Sequence, residues 1–312
     1  MLGPAPPDSA LPADGRLSRW CAPDGWEHRR FDWPNAKGRG RLLFQGGRAD
    51  VAEKYLGAMA HLHARGWSIT SFDWRGQGGS GRLGREPDIG HAARFDAHVA
   101  DLAAFWREWA AGEGPHVLVA HSMGGHFALQ ALAEGAIAPD AVVLSAPMIR
   151  VRSPIGQRLG GWLARAMTAL GDPSRSAWRR DDSAEAEAAR LARCTVTRGP
   201  EQDGRWWEAA DPVLKLGPPS GGWVAEAFRS GAALERDARL TKVKTPALFL
   251  VPEHDRLVEP AAALRVAARL PAAEVVRFGP EAGHEVLREG PAVRDRAFAA
   301  MDEFLDRRAP AR

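Results

Sequence analysis

The sequence predicts an α/β fold: a mostly parallel central sheet flanked by helices on both faces and interrupted once by a helical cap insertion. Three observations carry that prediction. Short β-rich runs alternate with segments of helical period, the alternation stops between Met148 and about Lys242, and it then resumes toward the end of the 312-residue chain.

Taken in order, residues 1–18 (MLGPAPPDSALPADGRLS) are rich in Pro, Ala and Gly and read as a mobile N-terminal arm. "RLLFQ" (41–45) reads as a strand, 52–66 as a helix stopped by Gly66, and "WSITSFDW" (67–74) as a second strand. An amphipathic helix follows over 93–110, then a buried strand "HVLVA" (116–120), a helix, and a strand "AVVLSAP" (141–147) stopped by Pro147. Residues 148–242 are helix-prone and Arg-rich and carry Trp162, Trp178, Trp206, Trp207 and Trp223, without a convincing buried strand. Those tryptophans suit either core packing or the lining of a ligand pocket. Beyond them come a strand at 245–251, a helix at 260–270, a strand at 273–278 and a last helix over 292–308. The expected organisation is an arm (1–18), a core (19–147 and 243–312) and a cap (148–242).

Composition narrows the function classes. A hydrophobic share of 45% and a charged share of 26% are those of a soluble globular chain. The net charge is only +3, and no dense Lys/Arg run carries interleaved aromatics, so no nucleic-acid partner is expected. Cys21 and Cys194 stand far apart with no CxxC or Cys/His cluster, which argues against a disulfide framework or a zinc site. No run approaches 18 apolar residues, and the Pro- and Asp-bearing start lacks the basic and apolar regions of a signal peptide. A cytoplasmic protein is expected.

The chemistry centres on "HVLVAHSMGGHFALQAL" (116–132), where a buried strand runs straight into a helix through Ala120-His121-Ser122-Met123-Gly124. This matches the G-x-S-x-G strand-to-helix turn with Ala in place of the first Gly; a plain Gly-rich turn is the alternative reading. A serine hydroxyl attacks carbonyls only when a base takes its proton and a third group orients that base. In such turns the partners follow in the order Ser, acid, His. Downstream, "ALFLVPEHDRLVEP" places Glu253, His254 and Asp255 after a strand, and "VVRFGPEAGHEVLRE" places His284 after the next. His284 is the only histidine beyond Asp255, so the expected catalytic residues are Ser122, Asp255 and His284, with Glu253 as the rival acid. His121 is expected to point away from Ser122, and His254 to face solvent. The oxyanion hole is expected from the backbone N–H of Met123 and that of Arg48, or its neighbour, in "FQGGRAD".

Gly76-Gln77-Gly78-Gly79-Ser80-Gly81 fits G-x-G-x-x-G after a strand, yet no helix opens there and Pro87 follows. A structural loop is the better reading than a dinucleotide site.

The same loop carries a family signal. "SFDWRGQGGSGRLGREPDIGHAARFDAHVADLAAFW" resembles the D-x-R-G-x-G-x-S-G-R segment and following helix of bacterial lysophospholipases, which are related to monoacylglycerol lipases within the α/β-hydrolase superfamily. "AHSMGGHFALQAL", "LSAPM", "LVPEHDRLVEP" and "AGHEVLRE" are similar to that group in the same order, from roughly residue 40 to 305 outside the insertion. The resemblance implies an α/β-hydrolase fold and a Ser/Asp/His esterase with a mobile helical cap. Two departures stand out: the usual His-Gly before the oxyanion loop reads Gln45-Gly46-Gly47, and the acidic residue of that loop is Asp50. The expected function is hydrolysis of a carboxylic ester of a lysophospholipid or monoacylglycerol, with no metal or organic cofactor. The Trp-rich insertion would cover an apolar acyl pocket, and its arginines would meet an anionic head group or a membrane surface. An amidase or peptidase on the same triad, and a non-catalytic binding protein on the same fold, are the alternatives.

Overall fold

Eight strands form one sheet in the order β1-β2-β4-β3-β5-β6-β7-β8. They are β1 (Arg16–Cys21), β2 (Glu27–Trp33), β3 (Gly40–Gln45), β4 (Trp67–Phe72), β5 (His116–His121), β6 (Ala141–Ser145), β7 (Ala247–Pro252) and β8 (Ala273–Phe278). The computed structural model describes residues 11–178, 181, 183–197 and 205–311. Strands β3 to β8 pair in parallel, while β1 and β2 form an antiparallel hairpin that joins the sheet at β4. The parallel strands β5, β6 and β7 are buried at every position, as strands covered on both faces must be.

Helices α2 (Asp96–Trp109), α3 (Ser122–Ala133), α7 (Gly221–Arg236) and α8 (Pro260–Ala267) cover one face. Their Leu102, Phe127, Leu234 and Val266 join a single apolar cluster. On the other face lie α1 (Leu56–Ala64) and α9 (Pro291–Arg308), through Met59, Leu62, Met301 and Phe304. Each fully buried side chain of this size contributes roughly 1.5–3 kcal/mol of transfer free energy.

The sheet holds more than the sequence reading expects at its start. Arg16, Leu17 and Ser18 belong to β1 rather than to a mobile arm, and their backbone pairs with Asp32, Phe31 and Arg30. Residues 1–10 of that expected arm lie outside the described residues. The β1–β2 hairpin escapes the reading because its Arg-rich strands show little apolar alternation; β1 buries only Trp20. Its turn, Asp24-Gly25 with Gly25 at φ 88°, is the local signal for such a hairpin.

Between β6 and β7 the described residues form α4 (Gln157–Leu170), α5 (Ala184–Cys194), α6 (Arg205–Ala210) and α7, with no strand beyond isolated bridges. Gly160 and Gly161 of α4 pack on Phe228 of α7. Met148 and Ile149 at one end, and Leu234 and Leu240 at the other, are part of the main core cluster. The expected cap limits at 148 and 242 therefore fall inside core packing. Trp162 and Trp178 are exposed, Trp206 and Trp207 meet edge to face, and Trp223 packs on Phe95. Among the described residues no helix is long and apolar enough to cross a membrane.

Candidate active site

The chain leaves β3 for β4 on one side, then returns to add β5 on the other, so β3 and β5 flank a topological switch point. Loops at the carboxyl ends of strands diverge there and leave a crevice. Ser122 stands at the end of β5, the Gly46–Asp50 loop at the end of β3, and the loops after β7 and β8 supply Asp255 and His284. Four segments remote in sequence thus converge at one end of the sheet.

Ser122 has φ 49°, in the left-handed region that a side chain enters only under constraint. The constraint is the immediate change from extended backbone at His121 (φ −107°, ψ 139°) to helix α3. Close packing explains the small residues around it: a β-carbon at position 124 would meet the Gly46 carbonyl oxygen at 2.5 Å, and one at 47 would meet Ser122 Cβ at 2.9 Å. The turn is strained, tightly packed and points the hydroxyl at His284.

Ser122 Oγ and His284 Nε2 are 2.8 Å apart, and His284 Nδ1 and Asp255 Oδ2 are 2.6 Å apart. The second carboxylate oxygen of Asp255 accepts the N–H groups of Leu257 (2.7 Å) and Val258 (3.0 Å), which fixes the acid. Burial alone would raise the Asp255 pKa, but the facing imidazole outweighs it and holds the carboxyl below its usual range. For His284 burial pulls down and Asp255 pulls up; the carboxylate wins, and the imidazole titrates above 6.5. Glu253, the rival acid, is exposed and meets Arg277 at 3.3 Å, and His254 is exposed. His121 turns its Nδ1 to the Ser145 carbonyl (3.2 Å), and burial, aided by His284, pushes it down to about 4. It stays neutral.

The loop after β3 is held from several directions. Gly47 N–H donates to Asp50 Oδ2 (2.6 Å) and Ala49 N–H to Gln77 Oε1 (3.2 Å). No acceptor for the N–H of Arg48 is found among the described residues. Met123 N–H lies in the first turn of α3, where no intrahelical acceptor exists. The Arg48 side chain reaches the Gly217 carbonyl and lies 5.5 Å from the Trp223 ring centre. Gln45, in the place of the usual histidine, uses its amide oxygen to accept the Phe72 N–H at 3.2 Å and so ties β3 to the end of β4.

Four charged residues that the motif search does not single out complete the surroundings. Lys54 Nζ bridges Asp50 (2.5 Å) and Glu285 (2.6 Å), and Glu285 also pairs with Arg288. Burial opposes the charge on Asp50, Lys54 and Glu285, yet mutual attraction keeps all three ionised. Glu289, fully buried, accepts the Gly283 N–H at 2.7 Å. Their sequence signals are the i,i+4 pair Asp50/Lys54, the i,i+3 pair Glu285/Arg288, and the acid Glu285 placed directly after His284. The G-x-G-x-x-G loop, for its part, supports the site: Gln77 Nε2 donates to the Gly47 carbonyl at 2.8 Å, and Gly79 N–H to Asp73 at 2.8 Å.

Residues 36–291 match the family described as "Serine aminopeptidase, S33". The chain is 32% identical over 281 residues to lysophospholipase L2 of Escherichia coli strain K12, across 84% of this chain and 78% of that protein. Its fold is similar to that of a soluble variant of monoglyceride lipase from Saccharomyces cerevisiae, at TM-score 0.76 and 21% identity over 98% of this chain and 99% of that one. It is also similar to monoacylglycerol lipase of Paleococcus ferrophilus, at TM-score 0.69 and 19% identity over 89% and 98% of the two chains. The chain has the α/β-hydrolase fold and belongs to the serine aminopeptidase S33 family.

Proposed function

We propose that this protein is a serine hydrolase that cleaves carboxylic esters of lipid-like substrates, lysophospholipids or monoacylglycerols, through an acyl-enzyme. The observation that carries the reading is the continuous hydrogen-bonded line from Ser122 through His284 to Asp255 at the open end of the sheet. Ser122 Oγ attacks the ester carbonyl while His284 Nε2 takes its proton, and Asp255 holds the Nδ1–H and balances the imidazolium. The N–H groups of Met123 and Arg48 receive the developing oxyanion, each worth roughly 2.7–4 kcal/mol in such sites. Collapse of the tetrahedral intermediate expels the glycerol-bearing alcohol, which takes the proton from His284. Water, deprotonated by the same imidazole, then releases the fatty acid.

The relatives support a lipid ester, since the named ones are a lysophospholipase and monoacylglycerol lipases. The aminopeptidase activity in the family description fits less well. An aminopeptidase must meet a free ammonium with a carboxylate, whereas Asp50 and Glu285 beside this site are already held by Lys54.

Elements α4 to α6 form the cap, with α7 as its seam to the core. The outer face of α4 presents Leu159, Trp162, Leu163, Met167 and Leu170 to solvent, with Leu170 90% exposed and Trp162 59%. Arg158 and Arg165 flank this stripe. An exposed apolar helix face edged by arginines suits insertion at the boundary of an anionic bilayer, where such substrates reside. Location in the cytoplasm at the membrane face accords with the unpaired thiols Cys21 and Cys194.

The test is a turnover panel of lysophospholipids, monoacylglycerols, p-nitrophenyl esters and aminoacyl amides of matched chain length. Lipid esters are expected to give the highest kcat/KM. Turnover confined to the amides would replace the lipase reading by the peptidase one.

A further inference from the structure

The buried carboxylate of Glu289 does more than one loop requires. It is fully buried and, among the described residues, accepts four hydrogen bonds. One comes from the Gly283 N–H (2.7 Å), next to His284. The other three come from the insertion: Thr195 Oγ1 (2.8 Å), Val196 N–H (2.9 Å) and Thr197 N–H (2.9 Å). Two further bonds run beside it, from Glu285 N–H to the Cys194 carbonyl (2.9 Å) and from Gly290 N–H to Thr197 Oγ1 (2.9 Å). The contact is close enough that a β-carbon on Gly283 would meet the Cys194 carbonyl oxygen at 2.7 Å and Thr195 Cα at 2.9 Å.

A carboxylate taken out of water is costly unless every lone pair finds a donor. Here three of the four donors lie just beyond α5 and the fourth adjoins the histidine. Neither segment can leave without stranding the charge of Glu289, so each is stable only while the other stays. His284 is held on its far side by Asp255, which fixes the direction of Nδ1 but not the position of the loop backbone. The loop is fixed from the core side by the Lys54–Glu285 contact and from the insertion side by Glu289.

We propose that Glu289 is a positioning residue that latches the Thr195–Thr197 segment of the insertion onto the His284 loop, so that the insertion sets the alignment of the catalytic base. The cap is thus anchored at the end of α5 and acts on the chemical step as well as on substrate binding. The coupling is reciprocal: loosening the segment misaligns His284, and displacing the loop frees the segment. The proposal rests on the assignment of His284 as the base.

The test uses the full chain and a short soluble ester that needs no acyl pocket. Glu289→Gln keeps the size but turns an amide NH₂ toward two of the four donors, whichever oxygen it replaces. It should lower kcat by roughly 10- to 100-fold with KM unchanged, as small misplacements of a catalytic group do. Glu289→Asp should recover part of that loss. On the insertion side, Thr195→Val with Thr197→Val should lower kcat on the same short ester by about 3- to 10-fold. The same changes should add little once Glu289 is Gln, because the latch is already open. The far-downfield proton resonance of His284 Nδ1–H reads the alignment without any turnover and should broaden or vanish in Glu289→Gln. Wild-type kcat on the short ester in the folded threonine variant, with an unchanged resonance, would overturn the latch. That variant also decides the matter should Glu289→Gln not fold. Loss of the resonance in Glu289→Gln, when the wild-type protein hydrolyses no ester, would leave the latch standing and refute the lipase reading instead.

Discussion

The end of the sheet that carries Ser122 and the outer face of α4 treat their side chains in opposite ways. At the sheet end, charges are buried and paired: Asp255 and Glu289 are fully buried, and each accepts several N–H groups. On α4, apolar groups face solvent, although a helix of an ordinary globular protein turns its apolar stripe to the core. The buried face of α4 is instead lined by Gly160, Gly161 and Ala164, small enough to let α7 approach. Preorganised polar groups in a dry setting serve chemistry, because their orientation costs nothing at the moment of reaction. An uncovered apolar face serves association, since it gains free energy only when something else covers it. The difference separates a rigid reaction centre from the surface proposed above to meet a lipid phase.

Ser122→Ala should break the first half of this comparison most severely. Loss of a triad nucleophile costs on the order of 10⁶ in kcat. Folding should survive, because among the described residues the hydroxyl bonds only to His284. Circular dichroism and ester turnover measured on one preparation check both statements.

Asp255→Asn should follow, with a loss on the order of 10⁴ in kcat from a wrongly held imidazole. Glu253→Gln, at an exposed position paired with Arg277, should change kcat by less than about twofold, as surface substitutions do. Equal losses in the two variants would contradict the assignment of the acid.

The pH profile sharpens the same point. His284 must be neutral to accept the serine proton, and its folded pKa is raised above 6.5 by Asp255 against the effect of burial. The rate kcat/KM should therefore rise with pH through a midpoint above 6.5. In Asp255→Asn only burial is left of these two main effects, so the residual activity should show its midpoint moved down. The sign for stability is the reverse of that for activity. A raised histidine pKa stabilises the fold fully below 6.5, and that contribution fades as the pH climbs through the raised value.

The α4 face should affect binding rather than turnover. Trp162→Ser with Leu170→Ser should weaken binding to anionic phospholipid vesicles about tenfold or more, given ~0.8 kcal/mol per buried CH₂. Turnover of a soluble p-nitrophenyl ester should stay unchanged. A parallel fall in soluble turnover would show that this face belongs to the reaction centre, and the contrast drawn above would collapse.

What the sequence discloses follows the same division. The parallel strands are legible because burial on both faces leaves unbroken apolar runs such as "HVLVA" and "ALFLV". The proposed Ser122, Asp255 and His284 are suggested by the sequence because each lies just past a strand-like run, and their order restricts the pairing. The hairpin of β1 and β2 is not, since an edge strand needs little apolar alternation and β1 buries only Trp20. The Lys54–Glu285 and Thr195–Glu289 contacts are also hidden: these partners lie far apart in sequence, and the short-range pairs Asp50/Lys54 and Glu285/Arg288 read as solvated surface pairs. The "GQGGSG" loop acts as the structural loop that the sequence reading prefers. Its glycines imitate a phosphate cradle, while Gln77 is spent on the backbone of Gly47 and Ala49. The tryptophans of the insertion divide between exposed and packed positions, which composition alone cannot sort.

The central claim is that Ser122 carries the acyl group during turnover. It is tested most directly by acid-quenching the enzyme during steady-state hydrolysis of a long-chain monoacyl ester and mapping its peptides by mass spectrometry. The account predicts a mass increase of one acyl group on the peptide bearing Ser122, lost in Ser122→Ala and accumulating further in Asp255→Asn if deacylation becomes the slower step. Sustained turnover with the acyl group on a different residue would contradict it.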